Sequence, residues 1–510
     1  MATTDVRSAR ASAAEHLLTA TAAAMTAAVA LVLVEVGTGA GVALAFLPLL
    51  ALAAAYVLTS GQIMLYAAAI ALPCLTFSAV GKPVMGSLYL PDVIVVCAIG
   101  AWAFSTLSGR GRVPSIPHTP VLGWAFVFFA AAIVIATLRG HYAYGASVVG
   151  QPLRLIFYAG IVAGLAGMTA QRMHRLLLVL LYPSAVVLAL VAIYYLATGG
   201  SATDQDVLST GGTRPFGIST SAYCAGALFF ALLNLRLAAS ARARVLHLGI
   251  AVVATFGVVA GFGRAVYTAV ALVCLLFILP SPRLRNAVLS VVPLVLPFLV
   301  LLAIAVSEGA PDFVDSVASR VSSPPARDAD VQWRLKANRV VLAQVREQPI
   351  FGVGFGRTSE FFLNVEDRAT GISTPQRVEI DQDPHNGYFF LWAGGGLLAL
   401  GSFALLLGTY AIDAFRRYRS NHDPIGRLII LWGSATLFVF LFNAASGTSF
   451  SNPTNVLMIW ALLVLPAVVR PAARADSVNL GDALRAGRPW VALAGWAPGG
   501  RVRGSSRPRP

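Results

Sequence analysis

The sequence predicts an all-α, polytopic integral membrane protein with about fourteen (12–14) transmembrane helices and one large extracytoplasmic loop containing short helices. Of its 510 residues, 57% are hydrophobic and 12% are charged, and the mean hydropathy is +0.75. A soluble protein cannot expose so much apolar surface, so the solvent we expect around this chain is lipid. The apolar residues also form separate segments, and arginines gather in alternate loops between them.

The apolar segments set the predicted helix count, because a helix needs about 20 mostly apolar residues to cross a bilayer. Such segments begin near residues 17, 41, 62, 90, 120, 155, 176, 219, 246, 265, 287, 386, 428 and 454.

The arginines predict the orientation, since basic loops stay on the cytoplasmic side. With an even number of helices, every basic loop falls on one side, and both termini are cytoplasmic. We therefore expect a multi-pass protein of the inner (plasma) membrane. The net charge of +15 is then explained by contact with the lipid surface, and no nucleic acid partner is expected. The basic loops hold Arg110 and Arg112, Arg172 and Arg175, Arg242 and Arg244, Arg283 and Arg285, and Arg416, Arg417 and Arg419.

Five regions follow from this topology. The loop among them holds twelve of the chain's twenty-two acidic residues, and a polar loop of this size is where chemistry on an extracytoplasmic substrate is expected. The regions are a cytoplasmic N-terminus (1–16), N-terminal transmembrane helices (17–306), the large extracytoplasmic loop (307–385), C-terminal transmembrane helices (386–470) and a basic, disordered cytoplasmic tail (471–510).

Within the loop, the segment "DADVQWRLKANRVVLAQVREQP" predicts a helix that Asp328 or Asp330 caps and Pro349 ends. Gly352, Gly354 and Gly356 then predict a tight, irregular turn. The turn has two interpretations. It folds the loop helix back onto the membrane face, or its backbone N–H groups bind a phosphate.

Arginine close to lipid is costly, about 2.5–3.5 kcal/mol at a helix centre, so each arginine on the predicted outer side needs a reason. Arg264 is the clearest case, because it follows the predicted turn of a helical hairpin at Gly261–Gly263. It is a snorkelling anchor or a ligand for an anion. Arg214, Arg334 and Arg339 are further candidates on the same side, and Arg139 and Arg154 are less favoured.

His385 is the candidate base. It follows Asp381, Asp383 and Pro384, and because proline disfavours helix in the residue before it, the next helix begins at about His385 or Asn386. A nearby carboxylate makes an imidazole a better base, although a simple polar cap at the helix start remains open. His, Cys and acidic residues lack metal-ligand spacing, so we predict neither a metal nor a cofactor.

The order of these motifs resembles the superfamily of O-antigen ligases and O-antigen polymerases, which are envelope glycosyltransferases. The resemblance covers about 214–444, and the histidine–asparagine segment preceded by the glycine turn is its most specific part. The segments that carry it are "RPFGISTSAYCAG", "GFGRAVYTAV", "VQWRLKANRVVLAQVREQPIFGVGFG" and "DPHNGYFFLWAGGGLLALG".

The resemblance implies roles for these residues. Arg264, Arg334 and His385 would be catalytic, and Arg214 and Arg339 would join the two arginines in binding the diphosphate of a polyprenyl-linked glycan donor. His385 would activate a hydroxyl of a glycan or glycolipid acceptor, with inversion and without metal. The alternative is a flippase for lipid-linked polysaccharide, which would need charges along a central cavity and two similar halves.

Overall fold

A computed structural model describes most of the chain between residues 89 and 468. The described residues are 89–107, 120–145, 150–162, 169–198, 217–261, 263–278, several positions between 281 and 293, 329–366, 373–381, 385–447 and 449–468.

Helices dominate these residues, as the sequence predicts. They are α1 (Leu90–Leu107), α2 (Pro120–Tyr144), α3 (Gly150–Phe157), α4 (Ala170–Thr198), α5 (Ile218–Leu235), α6 (Ala241–Ala260), α7 (Arg264–Val273), α8 (Ala329–Glu347), α9 (Gly387–Ser420), α10 (Pro424–Ala444) and α11 (Pro453–Val468).

Six of the described helices are long and apolar enough to cross a membrane, namely α2, α4, α5, α6, α9 and α10. The apolar stretches Arg264–Phe277 and Pro453–Leu465 are shorter. The polytopic membrane class is confirmed, whereas the total of about fourteen stays a prediction. The segments that begin near 17, 41 and 62 lie outside the described residues.

The helices that begin or end near the candidate residues share one end of the bundle, which we call the site end. At this end α5 starts beside the end of α6, where the Ser221 hydroxyl donates to the Val258 carbonyl at 2.7 Å. Helix α10 packs on α5, where the Trp432 indole donates to the Gly226 carbonyl at 2.8 Å. The two helices are antiparallel, because the start of α10 and the end of α5 both lie beside the start of α4. There Gln171 donates to Asp423 at 3.1 Å, and His174 hydrogen-bonds to Asn234 at 2.6 Å. The end of α10 is therefore level with the start of α5.

Helices α6 and α7 form the hairpin that the sequence predicts. Helix α6 ends at Ala260, Gly261 follows as its C-cap, and α7 begins at Arg264 with Gly263 as its N-cap. The Tyr267 hydroxyl donates to the Val259 carbonyl at 2.5 Å and ties the two helices together across the turn.

The extramembrane segment contains the predicted helix, which runs from Ala329 to Glu347 and ends two residues before Pro349. The all-α prediction is wrong here, because the segment also forms an antiparallel hairpin of β1 (Thr358–Glu366) and β2 (Ser373–Asp381). Phe361 and Ile380 are buried against α8 in a small hydrophobic cluster, while Glu360 and Glu379 beside them are polar and Phe362 is exposed. This alternation is the strand signal, and it is too short to separate from loop by pattern alone.

The glycine turn docks into a kink of α9. The N–H groups of Val353 and Gly354 donate to the carbonyls of Ala393 and Gly394 at 2.8 and 3.0 Å. Gly396 interrupts α9 with a φ of 66°, and Gly352, Gly354 and Gly356 have φ values of 68°, 90° and 99°. Since the described N–H groups already have carbonyl acceptors, the contacts favour folding the loop back over binding a phosphate.

Candidate functional site

His385 lies at the start of α9, where the sequence places it. The side chain of Asn386 accepts hydrogen bonds from the N–H groups of Tyr388 and Phe389 at 3.1 and 3.2 Å, so Asn386 is the N-cap. His385 is partly buried and has a φ of 53°, which a non-glycine residue adopts only at some energetic cost. The cap and the left-handed backbone fix how the chain enters the helix.

The loop helix α8 packs beside this histidine. The rings of Trp333 and His385 meet edge to face, with centroids 4.7 Å apart and planes at 87°. Arg334 follows Trp333 directly and is partly buried, whereas Arg339 is exposed. The fold therefore brings α8, with Arg334, to the candidate base, and leaves Arg339 at the surface of the helix.

Two helix N-termini lie side by side at the site end, those of α5 and α7. Gly217 is the N-cap of α5 and Gly263 is the N-cap of α7, and neither has a side chain that could cap the helix. A Cβ built on Gly263 would lie 3.2 Å from Cγ2 of Ile218, the first residue of α5. The partial positive charges of both helices are thus directed at one place.

Arg264 is the first residue of α7, so it adds a full positive charge at the positive end of a helix dipole. Two nitrogens of its guanidinium, Nε and Nη2, are shielded from solvent. A cation at this position is unfavourable unless an anion is also present, and the arrangement is therefore suited to an anion.

The turn between α10 and α11 connects this region to His385. A Cβ on Gly387 would lie 2.4 Å from Cδ2 of Phe450, and the Tyr388 ring meets the Phe450 ring edge to face at 5.8 Å. The Tyr388 hydroxyl donates to the Leu441 carbonyl at 2.9 Å, near the end of α10, and α10 packs against both α5 and α7. The candidate residues therefore border one end of the bundle.

The other predicted arginines divide into two groups. Arg214 lies outside the described residues, three positions before Gly217. Arg139 and Arg154 are structural: Arg139 donates to the Phe351 carbonyl at 3.1 Å and to Gln348, and Arg154 pairs with Asp92 at 2.9 Å. The sequence analysis places both among the less favoured site candidates, and their structural contacts agree with that ranking.

The comparisons with known proteins bear on the same region. The sequence model of the O-antigen ligase family matches residues 249–404. Over these residues, which are less than half of the chain, the protein is similar to that family. A comparison with curated proteins gives no significant match.

The matched region contains α7, α8, the β-hairpin and the first half of α9. Arg264, Arg334 and His385 all lie within it, while Arg214 precedes it. The match is narrower than the resemblance over 214–444, since it leaves out α5 and α10. Both of these helices nevertheless pack against α7.

Trp333 is the site residue that sequence reasoning missed. In the sequence it is one aromatic residue on a helix, and the core is the usual place for such a residue. Only the packing of α8 on the start of α9 shows that its ring contacts His385.

Proposed function

We propose that the protein is an envelope glycosyltransferase of O-antigen ligase type. It transfers a glycan from a polyprenyl-diphosphate donor to an acceptor hydroxyl on the outer face of the inner membrane. The observation that carries the proposal is the position of Arg264 at the start of α7, beside the start of α5.

The arginines and helix N-termini bind the donor's diphosphate in this proposal. A guanidinium forms two parallel hydrogen bonds to phosphate oxygens, and the uncapped N–H groups at the starts of α5 and α7 add weaker donors. Arg264 and Arg334 are the ligands that the described geometry supports best. Arg214 is a further ligand, and the exposed Arg339 is the weakest member of the set.

His385 supplies the proton transfer. Its neutral imidazole takes the proton of the acceptor hydroxyl while that oxygen attacks the anomeric carbon of the donor sugar. The bond between the anomeric carbon and the diphosphate oxygen breaks, and the diphosphate leaves on its lipid. A single displacement from the opposite face inverts the anomeric carbon. The imidazolium then releases its proton to solvent, so atoms and charge balance.

The leaving group explains why the base lies at a helix start. Because the donor is anchored in lipid, its diphosphate lies at the membrane edge, and so must the residues that act on it. We therefore expect the site end to face outwards, with both termini cytoplasmic. A topology reporter inserted near Ser373 should report the outside, and one after Arg244 or Arg417 the cytoplasm.

The decisive experiment measures donor binding and single-turnover transfer separately for His385→Ala. Transfer should fall by about 10²–10⁴-fold, the range for general acid–base catalysis, while donor affinity changes little. A loss of affinity with normal transfer of bound donor would instead make His385 a phosphate ligand. Transfer should also survive EDTA, and an activity that Mg²⁺ or Mn²⁺ restores would contradict a metal-independent reaction.

Purified wild-type protein in vesicles separates the enzyme from the flippase. Formation of the glycosylated acceptor supports the enzyme. Movement of the lipid-linked glycan across the bilayer without transfer would support the flippase.

A further inference from the structure

The contact between Trp333 and His385 joins the extramembrane segment to the start of α9. We propose that Trp333 is a positioning residue, which holds the imidazole of His385 in the orientation that accepts the proton. The inference rests on the proposed function of His385 as the base. Trp333 itself does not touch the reacting atoms in this proposal.

The backbone of His385 is fixed, but a fixed backbone leaves the imidazole free to rotate about its side-chain bonds. The Asn386 cap and the φ of 53° fix the position and direction of the Cα–Cβ bond of His385. The edge-to-face contact with Trp333, at 4.7 Å and 87°, restricts the ring itself. A base misplaced by about 1 Å can lose about 10²-fold in rate, so restricting this rotation matters to the chemistry.

Trp333 is able to hold the imidazole because it is held in turn. Its ring meets that of Phe361 on β1 edge to face at 6.1 Å. It also packs against the hydrophobic cluster formed by α8, the hairpin and the start of α9, which includes Ala337, Val341 and Ile380. The side chain of Trp333 is therefore held in place by its contacts with the hairpin and the cluster.

Trp333 and Arg334 are consecutive residues on α8. One helix therefore carries both the residue that contacts the candidate base and a candidate diphosphate ligand. A displacement of α8 would disturb both together.

The test compares Trp333→Leu and Trp333→Phe with the matched control Trp392→Leu. Trp392 packs against the same cluster, and its indole donates to the Pro349 carbonyl at 3.3 Å. Three quantities are measured on the full chain: donor affinity, single-turnover transfer across pH, and the NMR signals of ¹³C-labelled histidine, with His385→Ala identifying the His385 signal.

We expect Trp333→Leu to slow single-turnover transfer by about 10-fold or more, with donor affinity changed less than about twofold. The His385 signal should shift and broaden. Trp333→Phe should recover part of the rate, because it keeps an aromatic ring. Trp392→Leu should leave the His385 signal and the pH profile unchanged.

The outcomes separate this inference from the function on which it rests. If His385→Ala abolishes transfer but Trp333→Leu matches Trp392→Leu in rate and pH profile, the positioning role is wrong and the base stands. If the NMR signal of His385 moves in Trp333→Leu without any change in transfer, the contact is real but it does not position the base. An equal loss in Trp333→Leu and Trp392→Leu, with lower thermal stability in both, would make Trp333 a core residue only.

Discussion

The helices that begin at the two ends of the bundle differ in whether a side chain caps their first N–H groups. At the end opposite the site, α6 and α10 begin with side-chain caps: Ser240 accepts from the Ala243 N–H at 3.2 Å, and Asp423 accepts from the Ile425 N–H at 3.0 Å. At the site end, α5 and α7 begin at glycines without a side-chain cap. The first N–H groups of a helix need acceptors. At the starts of α5 and α7 the N-cap residue has no side chain that could provide one.

The difference is not a general property of the site end. Helices α9 and α11 also begin there, and Asn386 and Asn452 cap them, Asn452 by accepting from the N–H groups of Thr454 and Asn455 at 3.0 and 3.2 Å. Among the helices at this end whose N-cap residue the structure describes, α5 and α7, which lie together beside Arg264, start without a side-chain cap. A cap stabilises a helix by about 0.5–2 kcal/mol, and an anionic ligand can supply the same hydrogen bonds when it binds.

The largest expected effect is that of Arg264→Ala. Removing a charged donor from a site of this kind costs about 10²–10³-fold in transfer rate. Arg264→Lys should also be poor, because a point charge cannot replace the guanidinium fork. Transfer by purified protein, normalised to the amount inserted in the membrane, is the measurement.

Arg427→Ala is the matched control, since Arg427 lies at the opposite end and donates to the Asn421 carbonyl. It should keep transfer close to the wild-type rate. Near-normal transfer by Arg264→Lys would show that Arg264 is a snorkelling anchor, and the comparison between the two ends would lose its functional meaning.

Gly354→Ala tests whether the loop glycines serve the packing of the fold, in contrast to the glycines at the starts of α5 and α7, which we expect to face the donor. A Cβ on Gly354 would lie 2.6 Å from the Gly140 nitrogen, and the φ of 90° is itself unfavourable for alanine. We expect a loss of about 2–3 kcal/mol in stability, from overpacking and left-handed backbone together. Thermal unfolding in detergent measures it.

Gly401→Ala in α9 is the same substitution at a site with no heavy atom within 4 Å of the new Cβ. It should be neutral or stabilising, because alanine favours helix. If Gly354→Ala instead kept full stability and lost donor binding, the loop would be a phosphate site after all.

Adding a cap to α5 should have a smaller effect. The Cβ of Gly217→Asp meets nothing within 4 Å, and φ and ψ of −70° and 163° suit any residue. The helix should gain a few tenths of a kcal/mol, while the new carboxylate should weaken donor binding by repelling the diphosphate. Isothermal titration with the lipid-diphosphate donor measures the affinity.

Ser240→Gly makes the reverse change at the opposite end. It should cost a few tenths of a kcal/mol in stability and leave donor affinity unchanged. Equal donor affinity in Gly217→Asp and wild type would mean that the start of α5 does not face the donor.

What the sequence could predict depended on how local each signal is. The turn at Gly261–Gly263, the end of α8 before Pro349 and the start of α9 near His385 or Asn386 are each specified by a few consecutive residues, and the structure confirms all three. The hairpin was missed because its alternation is short and strongly charged. The side-by-side starts of α5 and α7, and the Trp333–His385 contact, depend on residues about 45 and 52 positions apart. No local pattern encodes such contacts.

The smallest expected effect concerns Arg357, an arginine near the site end that already has a partner. Arg357 binds Glu347 through two hydrogen bonds, of 2.6 and 3.2 Å, and the hydrogen bond from Arg357 lowers the pKa of Glu347. The lowered pKa means that the pair stabilises the folded state above the unfolded pKa of Glu347, and that this contribution disappears as the pH falls through the folded pKa. Glu347→Gln should therefore melt slightly lower than wild type at pH 7. The difference in melting temperature should vanish in acid, and it should shrink in high salt because the pair is exposed.

Transfer by Glu347→Gln should not change, since the proposal gives Arg357 no role with the donor. A faster or tighter-binding Glu347→Gln variant would show that Arg357, once released, reaches the diphosphate, and the set of ligands would then extend beyond the starts of α5 and α7.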